Sequence, residues 1–478
     1  MSDFEEWPDR IAECFVGKTI LITGASGFLG KVLLEKLLRC CSGLRKIFII
    51  IRPKYNLTIQ ERLDKIFKSP LFDKLKSEND DFSSLFSKIH PISGDVGAEN
   101  LGLSDEDVKL LQDEVEIVYH VAANCRFDET LKTAVFINVR GTKLMLELAK
   151  TMKNLLLFVH VSTAYCHLHE RVIDEVPYQP PEDPEKILTI VEGLQEEELG
   201  VFLHKILDDI PNTYTFTKAL AEGLVNQELS KMPIVLLRPS FVIPIWKDPI
   251  PGWTDTINGI IGFEIASGKG ILRTIYTDEN HYADFLPADV AVSAFLFTVF
   301  EYLTYQNKLP LENRQNIHNI TTSSEYKVTW KDIKYIGERV IAERIPLNWV
   351  VWYPNTLMTT NYYLYSVLYF FWHLLPALLL DPILIFLGYG SVLLKAHKRL
   401  LKGFDMMDYY SKNQWEFHNE WSLRTRELMN PKERQRYILF GDGIDYIDYF
   451  SDCVLSARRH MLNESDDTIP TAKRHLKM

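Results

Sequence analysis

The sequence predicts an α/β chain, a doubly wound parallel sheet followed by a mainly helical, membrane-associated C-terminal domain. Three observations lead there. Residues 18–40 read as a β-branched run, KTILIT, then TGASGFLG with glycines at 24, 27 and 30, then KVLLEKLLRC with its apolar residues on one helical face. Apolar runs then alternate with helical patterns through the first half of the chain, the alternation of a parallel sheet. Finally, residues 361–394 hold one formal charge, Asp381.

Taken in order, the strands after KTILIT are KIFIIIR (46–52), IHPISGDV (89–96), VEIVYHVAA (115–123), LLLFVHVST (155–163) and PIVLLRPS (233–240). Helical segments such as TKLMLELAKTM (142–152) lie between them. Further on, 362–380 carries no charge and makes about 28 Å of helix, nearly a bilayer core. Pro376 and the pair Asp381–Pro382 are expected to interrupt it. The run 383–394 is too short to span alone, and Lys395, Lys398, Arg399 and Lys402 follow. This pattern predicts a hairpin that enters and leaves a membrane on one side, because a single span would separate the basic cluster from the N-terminal domain. FHNEWSLRTRELM and YIDYFSDCVLSARRHML read as amphipathic helices, and a flexible tail is expected over 463–478.

Bulk properties narrow the function. A chain of 478 residues that is 46% hydrophobic and 24% charged can bury the cores of two or three domains. A net charge of −11 argues against a nucleic-acid partner. Cys14, Cys40, Cys41, Cys125, Cys166 and Cys453 form no CxxC pair, so reduced thiols are expected, with neither disulfides nor a metal site. The acidic start MSDFEEWPDR lacks the apolar core of a signal peptide.

The strand ends carry the polar residues, and ligands bind at the carboxyl ends of such strands. Gly24, Gly27 and Gly30 allow a tight turn, close approach to a pyrophosphate and close helix–strand packing. A carboxylate ending the second strand would select NAD, whereas Arg52 suits the extra phosphate of NADP. Asp95 is a candidate for adenine, and Ala122–Ala123–Asn124 leaves room for a cofactor. Tyr214 and Lys218 fall four apart in NTYTFTKALAEGL, on one helical face. An ammonium beside a phenol stabilises the phenolate, so the tyrosine can pass a proton to a carbonyl oxygen as hydride arrives. Ser162 and Thr163, ending the fifth strand, offer hydroxyls to the same oxygen. Cys125 and Cys166 raise a rival route through a thioester on sulfur, without an adjacent activating motif beyond His167.

TGASGFLG, HVAANCRF, FINVRGT, VHVSTAY, NTYTFTKALAE and VLLRPS resemble the extended short-chain dehydrogenase/reductases, whose sheet is of Rossmann type. More narrowly, FLGKVLLEKLLR, IRPK, ERLDKIFKSPLFDKLK and the block KDPIPGWTDTINGIIGFEIASGKGILRT (247–274) resemble the alcohol-forming fatty acyl-CoA reductases with a male-sterility-type C-terminal domain. The resemblance implies NADPH as reductant, a long-chain fatty acyl-CoA as substrate and a fatty alcohol as product. It implies Tyr214, Lys218 and Thr163 as catalytic residues, with Ser162 beside them. It also implies a cofactor site of Thr23, Gly24, Ser26, Gly27, Phe28, Leu29, Gly30, Arg52, Asp95, Val96, Ala122, Ala123, Asn138, Tyr214, Lys218, Pro239 and Ser240. HVAANCRF departs from the family pattern, in which many members carry a serine and a threonine around the same alanines. The implied organisation is a reductase domain over 1–350 and a helical domain over 351–460 holding the membrane segment 361–394. Membrane lipid is the implied partner, at the cytosolic face of the endoplasmic reticulum or a peroxisome. Two alternatives stand beside this reading: another membrane-associated extended reductase acting on a sterol or nucleotide sugar, and a non-catalytic NADP-binding protein.

Overall fold

The computed structural model describes residues 7–53, 56–79, 81–257, 259–388, 391, 393–439 and 443–477. The chain passes repeatedly between two compact units instead of dividing once near residue 350. The first comprises Met1–Val242, Ala288–Ser324 and Trp415–Phe440. The second comprises Ile243–Pro287, Glu325–Gln414 and Gly441–Met478.

The first unit is built on a seven-stranded sheet. Its strands are β1 (Thr19–Thr23), β2 (Lys46–Ile51), β3 (Ile89–Ser93), β4 (Ile117–His120), β5 (Leu157–Val161), β6 (Ile234–Pro239) and β7 (Ile317–Ile320). All neighbours pair in parallel, in the order β7-β6-β5-β4-β1-β2-β3. The six expected strands are present, and β1, β4, β5 and β6 are buried throughout, which is why they read as unbroken apolar runs. The strand order reverses between β1 and β4, and at that switch point a doubly wound sheet has its ligand crevice. In the paired register Thr23 lies opposite His120, and His120 opposite His160, so these strand ends come level.

The helices that position the site are α1 (Phe28–Cys40), α2 (Gly141–Lys150) and α3 (Thr213–Asn226). The helix α4 (Ala288–Thr304) is apolar on every side because it lies inside the unit. It is long and apolar enough to cross a membrane, but burial of 83% of its apolar window makes it a core helix.

The second unit is mainly helical, with Ile260–Gly268, Trp330–Arg339, Leu393–Lys412 and Tyr446–His460 as helices. Two expectations fail here. Pro376 and Pro382 do not interrupt the apolar segment, which is one helix from Tyr362 to Phe386. A π turn over Phe370–Leu374 leads directly into Leu375–Phe386, so the missing Pro376 amide falls where the hydrogen-bond register already changes. The expected flexible tail is also ordered. Ile469–Lys477 is a helix with Ala472 buried, and Arg458 donates to Thr468 Oγ1 at 2.7 Å just before it.

Candidate active site

The site is assembled at the carboxyl ends of β1, β4 and β5, within the first unit. Gly24 follows β1 with φ +77°, and a Cβ there would stand 2.8 Å from the amide nitrogen of Ala122. Only glycine lets the β1 turn and the end of β4 approach so closely. A Cβ on Gly30 would stand 2.2 Å from the Gly24 carbonyl oxygen, so this glycine seats α1 on the turn. Helix α1 starts at Gly27 with no side-chain cap, and Ser26 and Gly27 are exposed beside it. A thirteen-residue helix that starts in this way on a tight glycine turn fits a pyrophosphate.

Beneath the turn, a chain of hydrogen bonds fixes its floor. Thr142 Oγ1 donates to the Asn138 carbonyl at 2.7 Å, so it accepts from His120 Nε2 at 3.1 Å. His120 Nδ1 then accepts from Thr23 Oγ1 at 2.8 Å, and the Thr23 oxygen accepts from the Ala122 amide at 3.1 Å. The imidazole is neutral, because burial pushes its pKa down to about 3 and the Lys218 charge adds to the effect. The hydroxyl of Thr23 is therefore committed to the protein.

At the end of β2, Arg52 is exposed, with its Nε 3.9 Å from Asp95 Oδ2. Asp95 Oδ1 accepts from the Gly97 amide at 3.0 Å and so closes its own turn. Beside Gly97, Gly141 starts α2 against Val96, whose carbonyl oxygen would stand 2.7 Å from a Cβ on that glycine. Arg62, from the helix Ile59–Phe67, donates to the Arg52 carbonyl and is near enough for the Arg52 charge to lower its pKa, after burial. Two guanidinium groups thus stand at the β2 end, where one was expected. Arg62 belongs to the ERLDKIFKSPLFDKLK run, but nothing in its spacing assigned it to the β2 end, because its own helix brings it there.

The pair expected to be catalytic lies on α3, whose first turn is capped by Asn212 accepting from the Thr215 amide at 2.9 Å. Lys218 is 2% exposed and donates to the Val161 carbonyl at 2.8 Å, which ties it to the end of β5 next to Ser162 and Thr163. Burial pushes its pKa down, while Cys125, Glu222 and Cys166 act to raise it. Tyr214 is half-buried, stacks on Phe127 with ring centroids 5.7 Å apart, and hydrogen-bonds the Cys125 side chain. Cys125 is an exposed residue, and desolvation of its thiol pushes its pKa up against the opposing effects of Lys218 and Tyr214. Thr163 Oγ1 accepts from the Tyr165 amide at 3.2 Å, which fixes the side chain and leaves its own proton to donate. Ser162 Oγ lies 3.9 Å from Cys166 Sγ. On β6, the Pro239 carbonyl accepts from the Ala164 amide at 2.9 Å and Ser240 is buried.

Asn138 was expected on the cofactor, but its amide is spent on the protein. Its Oδ1 accepts from the Asn124 amide at 2.8 Å, and its Nδ2 donates to the Asn124 carbonyl at 3.1 Å and to Thr217 Oγ1 at 2.9 Å. A π turn over Phe136–Arg140 carries it, and it joins the loop holding Ala122, Ala123 and Cys125 to α3.

Glu222 continues the Tyr214–Lys218 face of α3 and is fully buried. It accepts from Arg238 Nη2 at 2.8 Å, from His167 Nε2 at 2.9 Å and from Cys166 Sγ at 3.1 Å. Burial opposes ionisation of Glu222, but Arg238 and His167 overcome it and hold the carboxyl well below the usual range. His167 is likewise opposed by burial, yet Cys166 and Glu222 raise its pKa to about 10. Cys166, His167 and Glu222 hold ligand atoms within 4.8 Å of one another, a spacing compatible with a metal ion. Arg238 and the protonated His167 already share the carboxylate, so a metal ion there would meet two positive charges and an imidazolium with no lone pair to offer.

A family model described as male sterility protein, of NAD-binding type, matches residues 22–295, and a second with the same description matches 372–464. Fatty acyl-CoA reductase 1 of Homo sapiens is 37% identical over 468 residues, covering 98% of this chain and 89% of that protein. A putative fatty acyl-CoA reductase of Drosophila melanogaster is 34% identical over 468 residues, covering 97% and 90%. Among solved structures, the terminal R domain from the myxalamid PKS-NRPS biosynthetic pathway aligns over 93% of this chain and 91% of its own, at 19% identity and a TM-score of 0.61. The reductase domain of a nonribosomal peptide synthetase from Mycobacterium tuberculosis aligns over 95% and 96%, at 14% identity and a TM-score of 0.58. These structural likenesses concern the fold.

Proposed function

We propose, for a chain that belongs to the fatty acyl-CoA reductase family, the NADPH-dependent reduction of a long-chain fatty acyl-CoA to the fatty alcohol and free CoA. Family membership makes it an oxidoreductase of fatty acyl groups with a nicotinamide cofactor. It leaves the sterol and nucleotide-sugar alternatives without support, and the presence of Tyr214 with Lys218 argues against a non-catalytic binder. The observation that carries the proposal is Lys218, four residues after Tyr214 on α3, bonded to the Val161 carbonyl at the end of β5 next to Ser162 and Thr163.

The residues fit the cofactor. The turn at Gly24, Gly27 and Gly30 and the start of α1 would hold the pyrophosphate, and Arg52 with Arg62 would meet the ribose phosphate of NADP. When bound, NADPH supplies hydride to the thioester carbonyl carbon and, from a second molecule, to the carbon of the resulting aldehyde. As negative charge grows on the substrate oxygen, Thr163 donates a hydrogen bond and Tyr214 a proton. Lys218 favours the tyrosinate left behind, having kept two of its three N–H groups after the bond to Val161. As the thioester adduct collapses, its hydroxyl proton returns to the tyrosinate and CoA leaves as the thiolate, so the aldehyde left in the same site meets the same acid for the second reduction. Product analysis with purified protein, NADPH or NADH, and acyl-CoAs of graded length tests this. Formation of a fatty alcohol is the expected result, and release of aldehyde alone would limit the reaction to one reduction.

The proposal extends to a membrane, at the cytosolic face of the endoplasmic reticulum or a peroxisome. In the helix Tyr362–Phe386, the residues turned inward are His373, Ala377 and Asp381, four apart, while Leu378, Leu379, Ile383 and Phe386 are exposed. That is the reverse of a water-soluble surface helix and suits lipid. Asp381 accepts from the amides of Leu393 at 2.8 Å and Leu394 at 3.0 Å, at the start of the helix Leu393–Lys412. The chain thus turns back after Phe386, which supports a hairpin with both flanks on one side. The exposed Lys395 and Lys398 suit an anionic surface.

A further inference from the structure

Arg273 lies in the second unit beside the apolar helix, and its environment is unusual for an arginine. Its guanidinium sits between two indoles, 4.3 Å from the centroid of Trp352 and 4.5 Å from that of Trp372. Its Nε is buried with no hydrogen-bond partner, and none of its side-chain nitrogens has an acceptor among the described residues. Stacking recovers part of the lost hydration, but a guanidinium has five N–H groups and an unmet buried donor is costly.

The surroundings hold this arginine still. Its amide donates to His373 Nε2 at 3.2 Å, so the inward stripe of the apolar helix grips its backbone. Its carbonyl accepts from the Leu357 amide at 2.9 Å. Trp352 is fixed in turn, since Gly270, with φ +70°, lets the Trp352 carbonyl come within 2.1 Å of where a Cβ would stand. Around the sandwich the surface is aromatic and apolar: Trp349 is 84% exposed, and Val351, Tyr353 and Phe371 are exposed with it. Amphipathic rings gather at the headgroup level of a bilayer, where one side of a group is dry and the other meets phosphate. A planar guanidinium matches phosphate oxygens in two parallel bonds.

We propose that Arg273, held between Trp352 and Trp372, binds the phosphate of a membrane phospholipid, while the helix Tyr362–Phe386 lies among the acyl chains beside it. This rests on the membrane reading above. It adds a headgroup contact that would fix the depth and rotation of the embedded helix.

The test is flotation of the full chain with two kinds of vesicle. One is phosphatidylcholine, and the other a digalactosyl lipid of matched acyl chains, which has no phosphate. Wild-type protein is expected to partition at least about tenfold better onto phosphatidylcholine, the effect of one charge-assisted hydrogen bond from a guanidinium to a phosphate oxygen. Arg273→Gln should abolish that preference while still binding both vesicles through the apolar helix. Ile383→Asp with Phe386→Asp should weaken binding to both. Equal partitioning of wild-type protein, or an unchanged preference in Arg273→Gln, overturns the phosphate site. If Arg273→Gln does not fold, Trp372→Leu removes one face of the sandwich and is read in the same way, an unchanged preference again overturning the site. Failure of wild-type protein to bind either vesicle would instead overturn the membrane reading.

Discussion

Replacing Glu264 with glutamine should make stability less dependent on pH. Glu264 lies on the helix Ile260–Gly268 in the second unit, 3% exposed, and neither carboxyl oxygen has a hydrogen-bond partner among the described residues. It lines a small cavity with Ser267, Ile333, Lys334, Gly337 and Glu338. Gly337 makes room for it, since a Cβ there would stand 2.6 Å from Glu264 Oε2. Burial, with the Glu338 charge adding to it, raises the Glu264 pKa from 4.5 to about 8. The folded state therefore holds a proton that the unfolded chain releases near pH 4.5. Stability is fully present below that pH, falls as pH rises through the window between 4.5 and about 8, and is flat beyond. A shift of that size corresponds to about 5 kcal/mol over the whole window, or about 1.4 kcal/mol per pH unit. Glu264→Gln keeps the shape and cannot ionise, so the slope should vanish from that site. Any cost of the extra buried N–H enters as a constant offset. Urea denaturation of both proteins at several pH values from 5 to 9 gives the difference in which other groups cancel. A difference that does not change with pH would refute the reasoning.

Tyr214→Phe should lower turnover by about two to four decades while leaving NADPH binding nearly intact, as read by stopped-assay kinetics and cofactor fluorescence. Arg52→Ala should reduce the preference for NADPH over NADH in kcat/KM by about one to two decades, the effect of one charged contact. An unchanged ratio would remove Arg52 from the cofactor site. Cys125→Ala and Cys166→Ala should stay active, and loss of turnover in a folded variant would favour a thioester on sulfur. A glycosylation acceptor just after Lys402 and another near residue 10 should both remain unmodified in microsomes, whereas modification of one alone would establish a crossing.

Legibility in the sequence followed local apolar composition. Strands covered on both faces announce themselves as apolar runs, and six of the seven in the sheet were readable. The seventh, Ile317–Ile320, reads His-Asn at its centre and gave no such signal. Its His318 stacks on Trp421 at 4.5 Å, and Asn319 Nδ2 donates to the carbonyls of Ile173 and His418 at 2.9 and 2.7 Å. These partners lie far away in the chain, so no window of sequence could justify burying that strand. Proline misled for a related reason, because the register change at Phe370–Leu374 that accommodates Pro376 is a property of the formed helix.

The sequence by itself determined the parallel sheet, the glycine turn, the Tyr214–Lys218 face and the apolar segment, because each depends on spacing within a few residues. Folding decided what those residues face. It spent the Asn138 amide on Asn124 and Thr217, brought Arg62 to Arg52, and closed Arg238 and His167 around Glu222. It also turned Asp381 inward and left leucine and phenylalanine outside. Periodicity specifies that one side of a helix differs from the other, but only the packed chain decides which side meets protein and which meets solvent or lipid.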